Sequence, residues 1–337
     1  MLLQYGFTFF YKSAVNELAR ILPEAQIRRL PEDHPVFHMV TDTLKLRTKR
    51  KERVRPILEG AYIGSRVAAF VSPYGLGAGW DRTFPTLIKE AEYYVPASAS
   101  RLGINLLAYA VGYFQAGLAH ARIQTFDPED LGADSDPVVF AQIQTDGVWN
   151  TEPGGAHTLL RFMRSHLNMQ ATYRLQTLRL DQAKLGDYPF LYLSGLSEFT
   201  LSQREGQALK RYLDAGGFLI IDNSLGLGEF RRSVYRELAK LYPRKRLTRL
   251  ASGHPLFTSG PFKSERVRYT PAAETRYPGL AAPYIEALDV GSEPHVFFSP
   301  FDLAAGWQGD DHPLSLGYAP ADALRLGANL ITYCLTH

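Results

Sequence analysis

The sequence predicts an α/β fold built on a parallel sheet, and three observations carry that prediction. Phe190–Leu193 and Phe218–Ile221 are short unbroken apolar runs, the pattern of strands covered on both faces. Between them lies an amphipathic helix: Ser202 and Glu205 fit a capping box, and Ala208, Leu209, Tyr212 and Leu213 fall on one face before Gly216 ends it. Strand, crossover helix and strand form a right-handed parallel unit. Asp222, Asn223 and Ser224 then stand at its carboxyl end, where open α/β sheets place their ligands.

The bulk numbers narrow the function classes. A chain of 337 residues, 45% hydrophobic and 21% charged, is material for roughly two domains with ample core. A net charge of +3 is too small to argue for nucleic acid. The one dense basic run, from Lys45 to Arg55, lacks interleaved aromatics and reads as a solvated loop. The single cysteine, Cys334, excludes an internal disulfide and any multi-cysteine zinc site; in its apolar helix it reads as a packed thiol. No apolar run reaches membrane-spanning length and MLLQYGFTFFYK has no secretory-leader pattern, so the default expectation is a cytoplasmic protein.

Set against itself, the chain shows an internal repeat. GFTFFYKSAVNELARILP (Gly6 to Pro23) overlays GLGEFRRSVYRELAKLYP (Gly226 to Pro243), and HPVF at His34 overlays HPLF at His254. Glu59 pairs with Glu286, SPYGLGAGW (Ser72 to Trp80) with SPFDLAAGW (Ser299 to Trp307), and RLGINLLAY (Arg101 to Tyr109) with RLGANLITY (Arg325 to Tyr333). The expected organisation is a partial, carboxyl-half copy over 1–120, a linker over 121–136 and a complete copy over 137–337. The partial copy would expose a sheet edge and half a core. Either it docks on the second copy or on another chain, giving an oligomer or larger assembly, or the natural chain starts upstream of Met1.

In order along the chain, Phe10, Ala14, Leu18 and Ile21 follow helical spacing up to Pro23, and a loop carries His34. Arg66–Val71 is a buried-strand candidate emptying into the glycines of GLGAG, which lack both the spacing and the Lys of a P-loop and read as a turn. Leu102–Phe114 is a helix. Val138–Ile143 opens the second copy as a strand, followed by DGVWNTEPGG, a helix from about Ala156 to Leu167, and an extended Leu175–Leu180. After the strand–helix–strand unit come a helix with Phe230, Val234, Leu238 and Leu241 on one face, a loop with His254, a strand at Val296–Phe298 and a closing helix Ala321–Cys334. Asn105 and Asn329, each within one of these apolar helices, need partners and predict ties to a neighbouring loop.

The segments FAQIQTDGVWN, DYPFLYLSG, GGFLIIDN, EFRRSVYREL, GHPLF, SPFDLAAGW and ALRLGANLITY, in that order, resemble the bacterial family called domain of unknown function 4159. HPVF, RPILEGAYIGSRVAAF, SPYGLGAGW and RLGINLLAYA resemble the carboxyl-terminal half of the same family. The resemblance implies a flavodoxin-like, class I glutamine-amidotransferase-like fold, and no established reaction.

Amidotransferases of that fold carry a cysteine on a tight strand-to-helix elbow. Here Ser224 falls near that position and Cys334 is remote, which argues against thiol chemistry. Serine hydrolysis would need a base, from His254, His295 or His312, oriented by Asp222 or Asp302, and no G-x-S-x-G surrounds Ser224. A divalent metal held by Asp222, His254 and Asp302 is the other sharp option, without signature spacing; no cofactor is otherwise indicated. The blander readings are Ser224 capping a helix, a His-Pro pair ordering a loop, and Asp222 satisfying backbone amides. Trp80, Trp149 and Trp307 suit packing better than ligand stacking. The leading expectation is a non-catalytic binding or assembly module, taking a small polar ligand or a protein partner near Asp222, Asn223, Ser224, His254 and Asp302. The alternative is a hydrolase using Ser224 or a metal on Asp222 and His254.

Overall fold

The computed structural model describes residues 2–4, 8–50, 53–82, 92–114, 138–167, 173–309 and 312–337, so the expected linker over 121–136 lies outside the described residues. The chain divides into two units, Met1–Leu118 and Ala119–His337. In the first, the described elements are β1 (Leu2–Gln4), α1 (Thr8–Ile21), β2 (Gln26–Arg29), a small ladder of β3 (Leu46–Arg47) with β4 (Arg53–Val54), β5 (Glu59–Ile63), β6 (Arg66–Ser72), α2 (Gly77–Asp81) and α3 (Pro96–Gly112). The main sheet has the order β1-β6-β5-β2. β1 is parallel to β6, the other pairs are antiparallel, and no described strand pairs with the outer edge of β1.

The second unit contains β7 (Val138–Ile143), α4 (Gly155–Leu167), β8 (Tyr173–Leu178), β9 (Phe190–Gly195), α5 (Gln203–Asp214), β10 (Phe218–Asn223) and α6 (Gly228–Leu241). It continues through β11 (Thr248–Arg249), α7 (Pro255–Thr258), α8 (Pro271–Arg276), β12 (Glu286–Val290), β13 (Glu293–Ser299), α9 (Ala304–Gln308) and α10 (Pro320–Thr336). The seven-stranded sheet has the order β11-β12-β13-β10-β9-β7-β8. β9 and β10 are buried along their whole length and pair in parallel. The capping box forms: Ser202 Oγ accepts from Glu205 N at 3.3 Å, and Glu205 Oε2 accepts from Ser202 N at 2.9 Å. Alternation along the strands feeds two cores. Phe140, Tyr192, Ile220 and Phe297 pack on one face with α10, and Ala141, Leu193, Ile221 and Phe298 on the other with α5 and α6.

The sheet is mixed where the sequence suggested parallel. β11, β12 and β13 run antiparallel, because Gly291 at φ 75° turns the chain directly back, as Gly64 at φ 60° does between β5 and β6. An apolar run records burial and carries no strand direction. Glu59 and Glu286, paired in the internal repeat, are the first residues of β5 and β12. On α1, Ala14 and Leu18 are buried as the spacing predicts, but Phe10 and Ile21 are exposed.

Several local arrangements occur in both units. The strands next to the sheet edges, β5 and β12, each carry a register shift, after Ala61 and after Leu288. Trp80 Nε1 donates to Ala99 O and Trp307 Nε1 to Ala323 O, each at 2.9 Å. His34 and His254 each accept at Nδ1 from the second residue onward, Val36 N and Leu256 N, at 3.2 Å. Buried Asn105 accepts from Val40 N and Thr41 N and donates to Thr41 O. Buried Asn329 accepts from Phe262 N and donates to Leu256 O, Phe262 O and Ser264 Oγ. Each asparagine thus ties the long helix of its unit to a preceding loop.

Candidate functional site

The carboxyl ends of β10 and β13 carry the polar residues that the sequence singled out. Asp222, Asn223, Ser224 and Asp302 are all fully buried. Asp222 Oδ1 accepts from Leu303 N and its Oδ2 from Ala304 N, both at 2.9 Å, and Tyr192 Oη donates to Oδ2 at 3.1 Å. Asp302 Oδ1 accepts from Ala305 N at 3.0 Å, while its Oδ2 accepts from Leu225 N at 2.8 Å and Ser315 Oγ at 2.9 Å. Asn223 Nδ2 donates to Leu227 O at 3.0 Å and Pro300 O at 2.9 Å. The three side chains therefore staple the β10–α6 turn to the β13–α9 turn, each satisfying backbone groups that the strand ends leave unpaired.

The electrostatics follow from the burial. Desolvation pushes both carboxyls up; the charge of Asp302 adds to the rise at Asp222, which stands well above the usual carboxylate range. Asp302 is pushed up to about 6, with buried Glu152 adding to desolvation, and the backbone N–H donors on both residues pull the other way. The pair thus holds a proton into weakly acidic solution.

The turn itself decides what Ser224 can do. The residue in the left-handed conformation is Leu225, at φ 57° and ψ −1°, followed by Gly226 at φ 69°. A non-glycine residue there is uncommon and must be held. Leu225 N donates to Asp302, Leu225 O accepts from Leu316 N at 3.1 Å, and the side chain is fully buried. A Cβ on Gly226 would lie 2.6 Å from Leu316 O, so glycine is required twice over. Ser224 Oγ shares a 2.6 Å hydrogen bond with Thr151 Oγ1, inside the protein.

The histidines separate. His254 packs its ring 5.8 Å from that of Tyr333, which in turn meets Phe218 at 6.3 Å; His295 stacks on Phe218 at 4.6 Å and its Nδ1 lies 3.2 Å from Gly217 O. Phe218 begins β10 and Asp222 lies four residues on, about 13 Å at strand rise. Both histidines therefore occupy the end of the sheet opposite Asp222 and Ser224. The Asp222–His254 metal set and the Ser224–His254 and Ser224–His295 pairs are not assembled, because the loop bearing His254 docks against the carboxyl end of α10. Among the described residues no group of three or more His, Cys, Asp and Glu side chains is arranged to hold a metal ion. His312 is buried in the loop that carries Ser315, at the Asp302 end. Cys334 is buried, and burial pushes its thiol up, away from the reactive range.

A family profile described as Domain of unknown function (DUF4159) matches residues 6–111 and 139–335. The chain belongs to that family. The two DUF4159 segments fall one in each unit. A comparison with proteins of curated function returns no match. Among the described residues of this DUF4159 chain no helix is long and apolar enough to cross a membrane.

Sequence reasoning did not single out Tyr192, Thr151, Glu152, Ser315 or Leu225 at this site. Tyr192 offered one signal, a hydroxyl within an otherwise apolar strand, which must find a partner when buried. Thr151 and Glu152 stand in the DGVWNTEPGG segment, whose Trp149 carbonyl accepts from Ser194 Oγ at 2.8 Å and so closes over the strand ends. The conformation of Leu225 leaves no trace in composition.

Proposed function

We propose that this DUF4159 chain is a non-catalytic assembly module: two copies of one amidotransferase-like, flavodoxin-like sheet, the second complete and the first reduced to its carboxyl half. The observation that carries the non-catalytic reading is Leu225. At the strand-to-helix elbow, where a catalytic relative would present its nucleophile to solvent, this chain has a buried leucine in the strained conformation. Its neighbour Ser224 is also buried and bonded to Thr151.

Burial also weighs against a small polar ligand at Asp222, Asn223, Ser224 and Asp302. Their hydrogen bonds go to backbone and side-chain groups within the unit, Asn223 Oδ1 alone among these side-chain oxygens and nitrogens being buried with no partner, and a ligand could reach the two carboxylates and Ser224 only by displacing those bonds. The duplication is supported by the shared tryptophan, histidine and asparagine ties and by two sheets that repeat one pairing pattern, β1-β6-β5-β2 and β10-β13-β12-β11. A protein partner is then the occupant class that fits, because all of that polar machinery but Asn223 Oδ1 is spent on the fold.

The test is a panel of ester, amide, phosphoester and glycoside substrates offered to the wild-type chain, Ser224→Ala and Asp222→Asn. Background rates alike in all three are expected. A turnover that Ser224→Ala abolishes, with the circular dichroism spectrum unchanged, would overturn the reading.

A further inference from the structure

The basic run that the sequence presents as a solvated loop is built in part into a ladder. Leu46 lies opposite Val54 and Arg47 opposite Arg53 in the β3–β4 pair, and a backbone bridge from Thr48 to Tyr94 ties the pair to the segment before α3. Leu46 and Thr48 are buried whereas Lys45, Arg47, Arg53 and Arg55 are exposed, so the alternation turns four cations outward. Directly opposed side chains share one face about 5 Å apart, and like charges so placed destabilise a ladder. Arg55 has an exposed ion pair with Glu32. Lys45, Arg47 and Arg53 have no acidic partner among the described residues.

The second unit has the same corner with the charge cancelled. Arg268 stands where Arg47 does: Val95 N donates to Arg47 O and Ala319 N to Arg268 O, each at 2.9 Å, and a Tyr269–Tyr318 bridge repeats the one from Thr48 to Tyr94. Arg268 donates to Asp322 Oδ2 on α10 from its amide at 3.3 Å and from its Nε at 3.1 Å. In the first unit that place on α3 belongs to Ser98, whose Oγ accepts from Arg47 N at 2.8 Å and brings no charge to the guanidinium. Across the second unit's pair, Val267 N donates to Ala281 O at 2.9 Å, so Arg268 faces the apolar residues 280–282 where Arg47 faces Arg53. The frame therefore requires neither the opposed arginine nor an uncancelled charge. The wider balance agrees: residues 1–118 hold fifteen Lys and Arg against ten Asp and Glu, a net +5 in a chain of net +3.

We infer that the outer face of β3 and β4 is the docking surface for an acidic, extended segment of a partner protein, an inference that rests on reading the chain as an assembly module. The partner's carboxylates supply from outside the charge that Asp322 supplies within the second unit. Carboxylates on every second residue of an extended chain lie about 7 Å apart, which is also the step from Lys45 to Arg47 and from Arg53 to Arg55 along their strands. A guanidinium takes a carboxylate by two parallel hydrogen bonds, so the opposed pair Arg47 and Arg53 gives such a segment a register as well as attraction. Nucleic acid fits less well. A single strand needs rings on which to stack its bases, and the ring beside this run, Tyr93, already lies under Lys49 Nζ at 5.7 Å.

Fluorescence anisotropy of a labelled peptide of five Ser-Glu repeats, titrated with the full chain, tests it. Saturable binding at about 20 mM salt is expected, weakened at least about tenfold at about 300 mM. Arg53→Glu should weaken it at least about tenfold as well, yet it gives Arg47 an acid across the ladder, so the thermal midpoint should hold or rise. Arg244→Glu with Arg246→Glu, exposed cations of the second unit, is the control and should leave binding unchanged. No binding at low salt, binding indifferent to Arg53→Glu, or an equal loss in the control overturns the inference. So does tighter binding of a ten-nucleotide oligothymidylate or of phosphatidylserine vesicles, which would give the face to nucleic acid or to a membrane surface. Each of these failures leaves the substrate-panel result where it stands, and a turnover in that panel would leave the peptide titration where it stands.

Discussion

The two units put similar frames to different use, and the strand ends show how. In the second unit Asp222 stands opposite Ser299 in the sheet register; in the first, Gln4 stands opposite Ser72. The turn residue after the next strand is Asp302 in one unit and Gly75 in the other. Both units close this turn by the same backbone pairing, Gly75 N to Glu92 O at 2.9 Å and Tyr94 N to Gly75 O at 3.1 Å in the first, Asp302 N to Leu316 O at 3.0 Å and Tyr318 N to Asp302 O at 3.1 Å in the second, and the second adds two buried acids that lock its crossover turns. Buried acids at a sheet end serve here as fasteners, and the frame persists without them.

The contrast can be broken at its strongest point first. Asp222→Leu strands two backbone N–H groups and the Tyr192 hydroxyl, so the second unit should lose roughly 3–5 kcal/mol in urea unfolding. Ser72→Ala, which removes one hydrogen bond, from Ser72 Oγ to Tyr74 O, at the same sheet end of the first unit, should cost only about 1 kcal/mol. Equal losses would mean that the acid pair is not what distinguishes the units. Next come the helix ties. Asn329→Leu should cost about 2–3 kcal/mol and Asn105→Leu about 1–2 kcal/mol, because the loop that Asn105 holds includes the exposed Val40 and can turn to water.

Acid should pull the units apart. His34 is buried and neutral, held down to about 3 chiefly by desolvation, so the unfolded chain binds the proton more readily between about pH 6.5 and 3. The first unit therefore loses stability as pH falls through that window. Asp302 has the opposite sign. Its pKa is raised to about 6 in the folded protein, so its ionisation penalty is absent below the ordinary carboxylate range and grows as pH rises towards and through 6. Half-buried His254, whose pKa is also lowered by burial, opposes that gain by a smaller amount. Hydrogen-exchange mass spectrometry at pH 7, 5 and 4 should show the first unit weakening before the second, and Asp302→Asn should flatten the second unit's profile.

The legible part of the molecule was what neighbouring residues decide. The Ser202–Glu205 box, the apolar runs of β9 and β10, the His-Pro caps and the paired asparagines each declare themselves within a few positions, and the folded chain has them where the spacing puts them. Strand direction did not declare itself, since Val296–Phe298 in β13 reads as a buried run like any other. His254 is grouped with Asp222 as an imidazole and a carboxylate both expected at sheet ends, but which end of a sheet a loop occupies depends on the path of the chain. Phe10 and Ile21 obeyed the helical period and still face outward, because periodicity predicts an apolar stripe and the neighbouring element decides whether it is covered. Leu225 was unreadable: leucine has no preference for a positive φ, and only Asp302 and the Leu316 amide hold it there.

The claim that β10 is paired on both sides, whereas no described strand pairs with the outer edge of β1, is tested most directly by amide exchange at the two strands. The amides of β1 should exchange at least about 100-fold faster than those of Leu219–Asp222 in β10. Protection of β1 equal to that of β10 would contradict the account.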